Sequence, residues 1–344
     1  MPFGPVRSGA AASIIIIMKT AALLSCFALC FSCASGWAGS IPNASDAEFF
    51  SPLAEFSAHV RPLAQAVSLI LDPNSNGIGG TMEIPCVLAG TSGSCFLDTG
   101  AGVNLIEDAA FSRGFETRYL EKIKGASGGF EIAPAVRVPS VRIGNFSFGP
   151  RTFIRLGGNT QCGSDFPNQS QAIVGMSLLS AASPFRLSFG KNPTLTLGDP
   201  LPNAAAANPL RIATENRILI PVTIATEGLT ALFDTGYALS AVDQDYIKSN
   251  PDIFALIGGA QSVDATCAAS SGKIYKLKSV VIGGREFHDV RVLAGDFGPL
   301  RGELGANVRM VVGYNLITRM DWTIDAKRGT WSVKRTSQDE GRQP

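Results

Sequence analysis

"IPCVLAGTSGSCFLDTG" at residues 84–100 lies without a gap over "IPVTIATEGLTALFDTG" at 220–236; both begin on Ile-Pro and end on Asp-Thr-Gly, at an offset of 136 residues. Average residue usage puts roughly 0.07 copies of Asp-Thr-Gly in a chain of this length by chance. Two copies in matched surroundings therefore point to a duplicated unit, and three further landmarks recur in the same order. "VRIGNFSF" at 141–148 matches "VVIGGREF" at 280–287, and "AIVGMSLL" at 172–179 matches "MVVGYNLI" at 310–317. "FRLSFGKNPTLTL" at 185–197 resembles "MDWTIDAKRGTWSV" at 320–333, each reading as a strand, a turn and a returning strand. The chain thus reads as two similar lobes, 79–198 and 217–335, joined by a Pro- and Ala-rich linker at 199–216 and followed by a polar tail at 336–344.

The 37 glycines and 20 prolines punctuate short apolar segments such as "LKSVVIGG" and "GTWSVKR", the pattern of many short strands joined by tight turns, so an all-β architecture is expected. With 344 residues, 45% of them hydrophobic, there is ample material for a buried core. Lys and Arg number 29 against 28 acidic residues, which leaves no net field to hold nucleic acid or an anionic membrane surface.

The N-terminus reads as a targeting label. From Met18, a candidate start, "MKTAALLSCFALCFSCASGWAGS" gives a lysine, an apolar run and then small residues, as a secretory signal peptide does. Residues 1–38 are assigned to that region, with cleavage expected near Ala38 and the product periplasmic or secreted. An uncleaved segment using Ile14 to Ile17 is the one route to membrane anchoring. Residues 39–78 form an N-terminal segment expected to be partly helical, since the apolar spacing of 46–71 is helix-like and broken only by Pro52 and Pro62. The exported chain keeps Cys86, Cys95, Cys162 and Cys267, for which three disulfide pairings, or free buried thiols, stand open.

Each Asp-Thr-Gly ends an apolar strand ("CFL" or "ALF") at a sharp turn, where Gly permits close backbone approach and the Thr hydroxyl can bond to neighbouring backbone. One carboxylate is presented per lobe. If the lobes pair about a pseudo-two-fold axis, Asp98 and Asp234 meet and share one proton, because two adjacent carboxylates resist double ionisation. Such a dyad can take a proton from water with one member and give one to a carbonyl with the other.

On Asp98-Thr99-Gly100, Asp234-Thr235-Gly236, Ile173-Val174-Gly175 and Val311-Val312-Gly313, the sequence resembles the aspartic peptidases, as a single chain of two retropepsin-like halves. The resemblance implies two β-barrel lobes about a cleft, Asp98 and Asp234 as the catalytic pair, and Thr99, Gly100, Thr235 and Gly236 as loop support. It implies a peptide or protein substrate, a monomer, and no metal or organic cofactor. It also implies β-hairpin flaps at 124–134 and 264–275, with Ala101, Tyr237, Gly128 and Phe130 lining the substrate cleft. Tyr237 departs from the small residue usual after Asp-Thr-Gly, so a catalytically inactive peptide-binding protein of the cell envelope is the alternative reading.

Other motifs fit less well. "GASGG" at 125–129 matches a hydrolase nucleophile elbow in letters only, since the charged "YLEKIK" precedes it instead of an apolar strand. His59 and His288 are the two histidines, and neither has a second His or Cys at metal-ligand spacing. Asn43, Asn145 and Asn168 head Asn-x-Ser sites that matter only in a glycosylating host.

Overall fold

Alternating burial and left-handed turns build the first hairpin of each lobe. Strands Gly80–Leu88 and Thr91–Leu97 meet at Ala89 (φ 48°) and Gly90 (φ 87°), and Ile218–Ile224 turns into Glu227–Phe233 through Ala225 (φ 53°), the counterpart of Ala89. Ile84 stands opposite Cys95 and Cys86 opposite Gly93; in the second lobe Ile220 stands opposite Ala231 and Val222 opposite Leu229. The 136-residue offset of the sequence is thus also the offset of the strand register.

The computed structural model describes residues 65–73, 79–107, 111–125, 130–156, 170–198, 207–263 and 269–336. The leader, residues 39–64, Gly128, Cys162 and Cys267 lie outside the described residues. The fold is all-β, and the described residues form three sheets. Each lobe has its own sheet, and in each the strand carrying the apolar-apolar-Gly signature runs between the two arms of the Asp-Thr-Gly loop. Ala172–Val174 is parallel to Thr91–Leu97 on one side and antiparallel to Leu105–Glu107 on the other. Val308–Val312 is placed the same way between Glu227–Phe233 and Ala241–Asp243. A long hairpin projects from each lobe sheet: Thr117–Lys124 with Phe130–Val138 in the first, Phe254–Val263 with Ala269–Ile282 in the second.

The third sheet has six strands drawn from both halves, in the order Gln65–Ser68, Thr194–Leu197, Phe185–Ser188, Met320–Asp325, Thr330–Arg335, Asn208–Pro209. Its central antiparallel pair sets Leu187 opposite Trp322 and Phe185 opposite Ile324, with one strand from each lobe. Both tryptophans of this sheet are fully buried and stacked at 5.5 Å, and Trp322 packs on Phe233, the residue before Asp234, at 4.7 Å. Burying such rings is worth about 1.5–3 kcal/mol each. The sheet therefore braces the loop floor from below.

Two expectations are corrected. Within 39–78, Gln65–Ser68 and Ile70–Pro73 are strands, not helical pieces: the first pairs with Thr194–Leu197 and the second with Gly80–Leu88. The 199–216 segment likewise contributes Asn208–Pro209 to the six-stranded sheet and Arg211–Ile212 to the edge of Ile218–Ile224. Open edges needing backbone partners outweighed the helical spacing. Each lobe thus begins with two short strands upstream of the stretch that repeats in sequence. Cys86 and Cys95 form a disulfide across the first hairpin, with Cα atoms 5.8 Å apart. Among the described residues, no helix is long and apolar enough to cross a membrane.

Candidate active site

Strands Thr91–Leu97 and Glu227–Phe233 end on Asp98 and Asp234, and the two loops that follow interlock. The Thr99 backbone N–H donates to Thr235 Oγ1 at 3.0 Å, and the Thr235 N–H donates to Thr99 Oγ1 at 3.0 Å. Each hydroxyl then donates across the junction at 2.8 Å, Thr99 to the Phe233 carbonyl and Thr235 to the Leu97 carbonyl. Both threonines are fully buried. All four bonds run between lobes, in two symmetric pairs, and a hydroxyl at each position satisfies one donor and one acceptor that burial has cut off from water.

The glycines set the approach of the carboxylates. A Cβ on Gly100 would lie 2.1 Å from Asp234 Oδ2, and a Cβ on Gly236 would lie 2.4 Å from Asp98 Cγ. Each Gly thus leaves the space that the opposite carboxylate fills, and the two carboxyl groups are in hydrogen-bonding contact. Gly175 and Gly313 support the loops from behind. Their own Cβ positions would fall 2.1 Å from the Val103 carbonyl oxygen and 2.5 Å from the Tyr237 carbonyl oxygen. The amide after each donates to the loop at 2.8 Å, Met176 to the Ala101 carbonyl and Tyr314 to the Tyr237 carbonyl.

The two aspartates are not equivalent. Asp98 Oδ1 accepts from the N–H groups of Gly100 at 2.8 Å and Ala101 at 2.9 Å. Asp234 Oδ1 accepts from Gly236 at 2.9 Å, while the Tyr237 N–H turns to the Asp234 carbonyl at 3.3 Å. Burial raises Asp98 above its ordinary 3.8, against the pull of the Ala101 N–H, the Asp234 carboxyl and the Gly100 N–H. Burial, with the negative charge of Asp98 behind it, holds Asp234 well above 3.8. Two buried carboxyls so close resist double ionisation, so the pair holds one proton between them and its two ionisation steps belong to the pair.

Of the cleft residues expected from sequence, Ala101 and Tyr237 follow the two loops and pack on the apolar clusters of their own lobes, Ala101 on the one that holds Phe96 and Ile173, Tyr237 on the one that holds Leu239, Ile274 and Phe297. Phe130 lies on the first-lobe hairpin, exposed, with the Lys122 ammonium 4.3 Å from its ring. Sequence reasoning passed over Arg217, which bonds Glu215 and, at 3.0 Å, Glu303 next to this site. Carrying the 136-residue offset three residues upstream of the repeat sets Arg217 over Thr81, a charged residue over a neutral one. Among the described residues, no group of three or more His, Cys, Asp or Glu could hold a metal ion.

No protein-family model matches the sequence, and no curated protein does. Solved structures do match, among them the aspartic proteinase from Irpex lacteus. It is 14% identical, covers 80% of this chain and 98% of its own length, and superposes with a TM-score of 0.47.

Proposed function

We propose that the chain is an aspartic-type endopeptidase in which Asp98 and Asp234 activate one water against a peptide bond. The observation that carries the reading is reciprocal packing: each Asp-Thr-Gly glycine lacks the atom that would displace the opposite carboxylate. Ionised Asp98 takes a proton from the water as its oxygen attacks the carbonyl carbon, and Asp234 gives its proton to the carbonyl oxygen. The resulting tetrahedral diol collapses when one hydroxyl proton returns to Asp234, the proton on Asp98 passes to the amide nitrogen, and the C–N bond breaks. The free acid and amine leave, and the dyad returns with one proton. Tyr237, packed among the apolar residues of its own lobe, lines a subsite in this reading and does not cover the dyad. The substrate is an extended peptide or protein, the unit is a monomer carrying both halves, and the enzyme is exported with its leader removed near Ala38.

Asp98→Asn and Asp234→Asn should each lower the rate of cleavage of an unstructured protein such as casein by about 100- to 10,000-fold, with the thermal unfolding transition kept. Tyr237→Ala should change which peptide bonds are cut and leave the pH profile in place. Cleavage at the unaltered rate after either aspartate is replaced would refute the reading. An inert wild type that becomes active as Tyr237→Ala would show that Tyr237 blocks the dyad. N-terminal sequencing of the exported protein tests the leader, and a product starting at Met1 or Met18 would overturn it.

A further inference from the structure

The two lobes deliver different residues to the place opposite each aspartate. In the second hairpin Leu219 stands opposite Leu232, and carrying that register two residues further sets Arg217 opposite Asp234. In the first, Glu83 stands opposite Phe96, and the same step sets Thr81 opposite Asp98. Where lobe 1 has a neutral hydroxyl in this alignment, lobe 2 has a guanidinium.

Arg217 is held in place. One of its terminal nitrogens bonds Glu215 and the other bonds Glu303 at 3.0 Å, the latter on the helix Gly298–Leu304. Its Nε is buried and makes no hydrogen bond. Glu215 and Asn216 take left-handed backbone (φ 58° and 61°) in the turn just before Arg217, a strained conformation for residues with a side chain. That turn seats Glu215 against the first-lobe loop: a Cβ on Gly102 would lie 2.1 Å from Glu215 Cβ. The other charged groups around it turn elsewhere. Arg301 of the same helix bonds Asp243, and Arg211 donates to the Leu304 carbonyl. Glu121, on the first-lobe hairpin, faces Glu215 and is raised by burial and by that neighbouring charge.

We infer that Arg217, clamped by Glu215 and Glu303, is a positioning residue that sets how much negative charge Asp98 and Asp234 can carry together, and hence the pH window in which the dyad works. The inference rests on the dyad reading above. A cation beside two carboxylates favours each ionisation, so Arg217 draws both steps of the pair to lower pH, against burial. Removing it also leaves Glu215 and Glu303 uncompensated beside the dyad, which adds to the rise. Removing a carboxylate from the clamp while keeping Arg217 acts in the opposite sense.

The test titrates wild type, Arg217→Gln, Arg217→Lys and Glu303→Gln in two ways: 13C NMR of the Asp98 and Asp234 carboxyls, and the pH dependence of kcat and kcat/KM on a cleaved peptide. Arg217→Gln should move both steps up by about one pH unit, Glu303→Gln should move them down by about half a unit, and Arg217→Lys should leave them within a few tenths. Unmoved titrations in Arg217→Gln, or shifts of the same sign in Arg217→Gln and Glu303→Gln, would overturn the inference, since a purely structural role alters rate without opposed shifts. If Arg217→Gln does not fold, the Glu303→Gln titration decides alone: a downward shift supports the inference and none refutes it. The NMR arm needs no turnover, so an inert wild type would sink the peptidase reading and leave this one still decided.

Discussion

The two lobes make one junction with different letters. At the place where the chain before each first hairpin meets the opposite loop, lobe 1 offers Gly79 (φ 93°), whose missing Cβ would fall 2.0 Å from the Ala238 carbonyl oxygen. Lobe 2 offers Glu215, left-handed despite its side chain, and there the glycine has moved across to the loop as Gly102. Neither contact has room for a second Cβ, and one glycine suffices for each. The side on which it stands decides what else the junction can carry. With glycine on the approach turn, the lobe 1 contact is neutral. With glycine on the loop, lobe 2 can hold a glutamate there, and that glutamate bonds Arg217. Duplication fixes the frame, and charge enters where the glycine yields a position.

The interlocked threonines are the part of the comparison with no asymmetry, and their loss should have the largest effect on stability. Thr99→Val and Thr235→Val each delete one hydroxyl and strand a buried N–H of the other loop and a buried carbonyl. At about 1–3 kcal/mol for each stranded group, either variant should lose about 2–5 kcal/mol. Because the bonds are reciprocal, the two losses should agree within about 0.5 kcal/mol. Urea unfolding of both variants measures this, and a loss confined to one lobe would break the symmetry inferred from the hydrogen bonds.

How much of this could be read from the letters follows from the range of each interaction. The hairpins, the paired Asp-Thr-Gly loops and the glycines behind them rest on runs of several residues that repeat at a fixed offset, so the ungapped alignment exposes them. Gln65–Ser68 and Asn208–Pro209 are four and two residues long, too short for any periodicity, and their partners Thr194–Leu197 and Thr330–Arg335 lie more than a hundred residues away. Pro62 and the helix-like spacing before Gln65, and the alanines of 204–207, suggested other structures there. Arg217 escaped for a different reason. A lone Arg before a strand is ordinary, and its bond to Glu303, 86 residues further on, leaves no mark on the local sequence.

The disulfide is the next difference in size. Cys86 and Cys95 correspond to Val222 and Ala231, so lobe 2 shows which pair the same hairpin accepts without a bridge. The double variant Cys86→Val with Cys95→Ala should fold and keep the pH profile of cleavage. It should lose about 2–3 kcal/mol, the loop-closure contribution of a short bridge. Thermal unfolding in oxidising buffer checks this; a variant that fails to fold would mean that lobe 1 depends on the bridge in a way its twin does not.

The smallest difference is a swap of polar partners behind the two loops. In lobe 1, Asn104 Oδ1 accepts from the Gly175 N–H at 3.0 Å and its amide nitrogen reaches the Thr152 carbonyl at 3.5 Å, while the hydroxyl of Ser177 on the following helix is buried with no partner. In lobe 2 the hydroxyl stands on the loop and the amide on the helix. Ser240 Oγ accepts from the Gly313 N–H at 3.0 Å and donates to Asn315 Oδ1 at 2.7 Å, and the Asn315 amide nitrogen donates to the Arg291 carbonyl at 2.9 Å. Residues 104 and 240, like 177 and 315, are equivalent in the repeat, so the same loop is tied to the same neighbouring strand through exchanged residues. Asn104→Ser alone should cost about 1 kcal/mol, since the Thr152 carbonyl loses its donor. Ser177→Asn alone should cost less, because it adds an amide beside one already bonded. The double variant rebuilds the lobe 2 arrangement and should recover most of the loss, giving a coupling of about 0.5–1 kcal/mol in a double-mutant cycle. Additive losses with no recovery would mean that the helix of lobe 1 sits too far from its loop to use the exchange, and that the two lobes share a backbone path without sharing this contact.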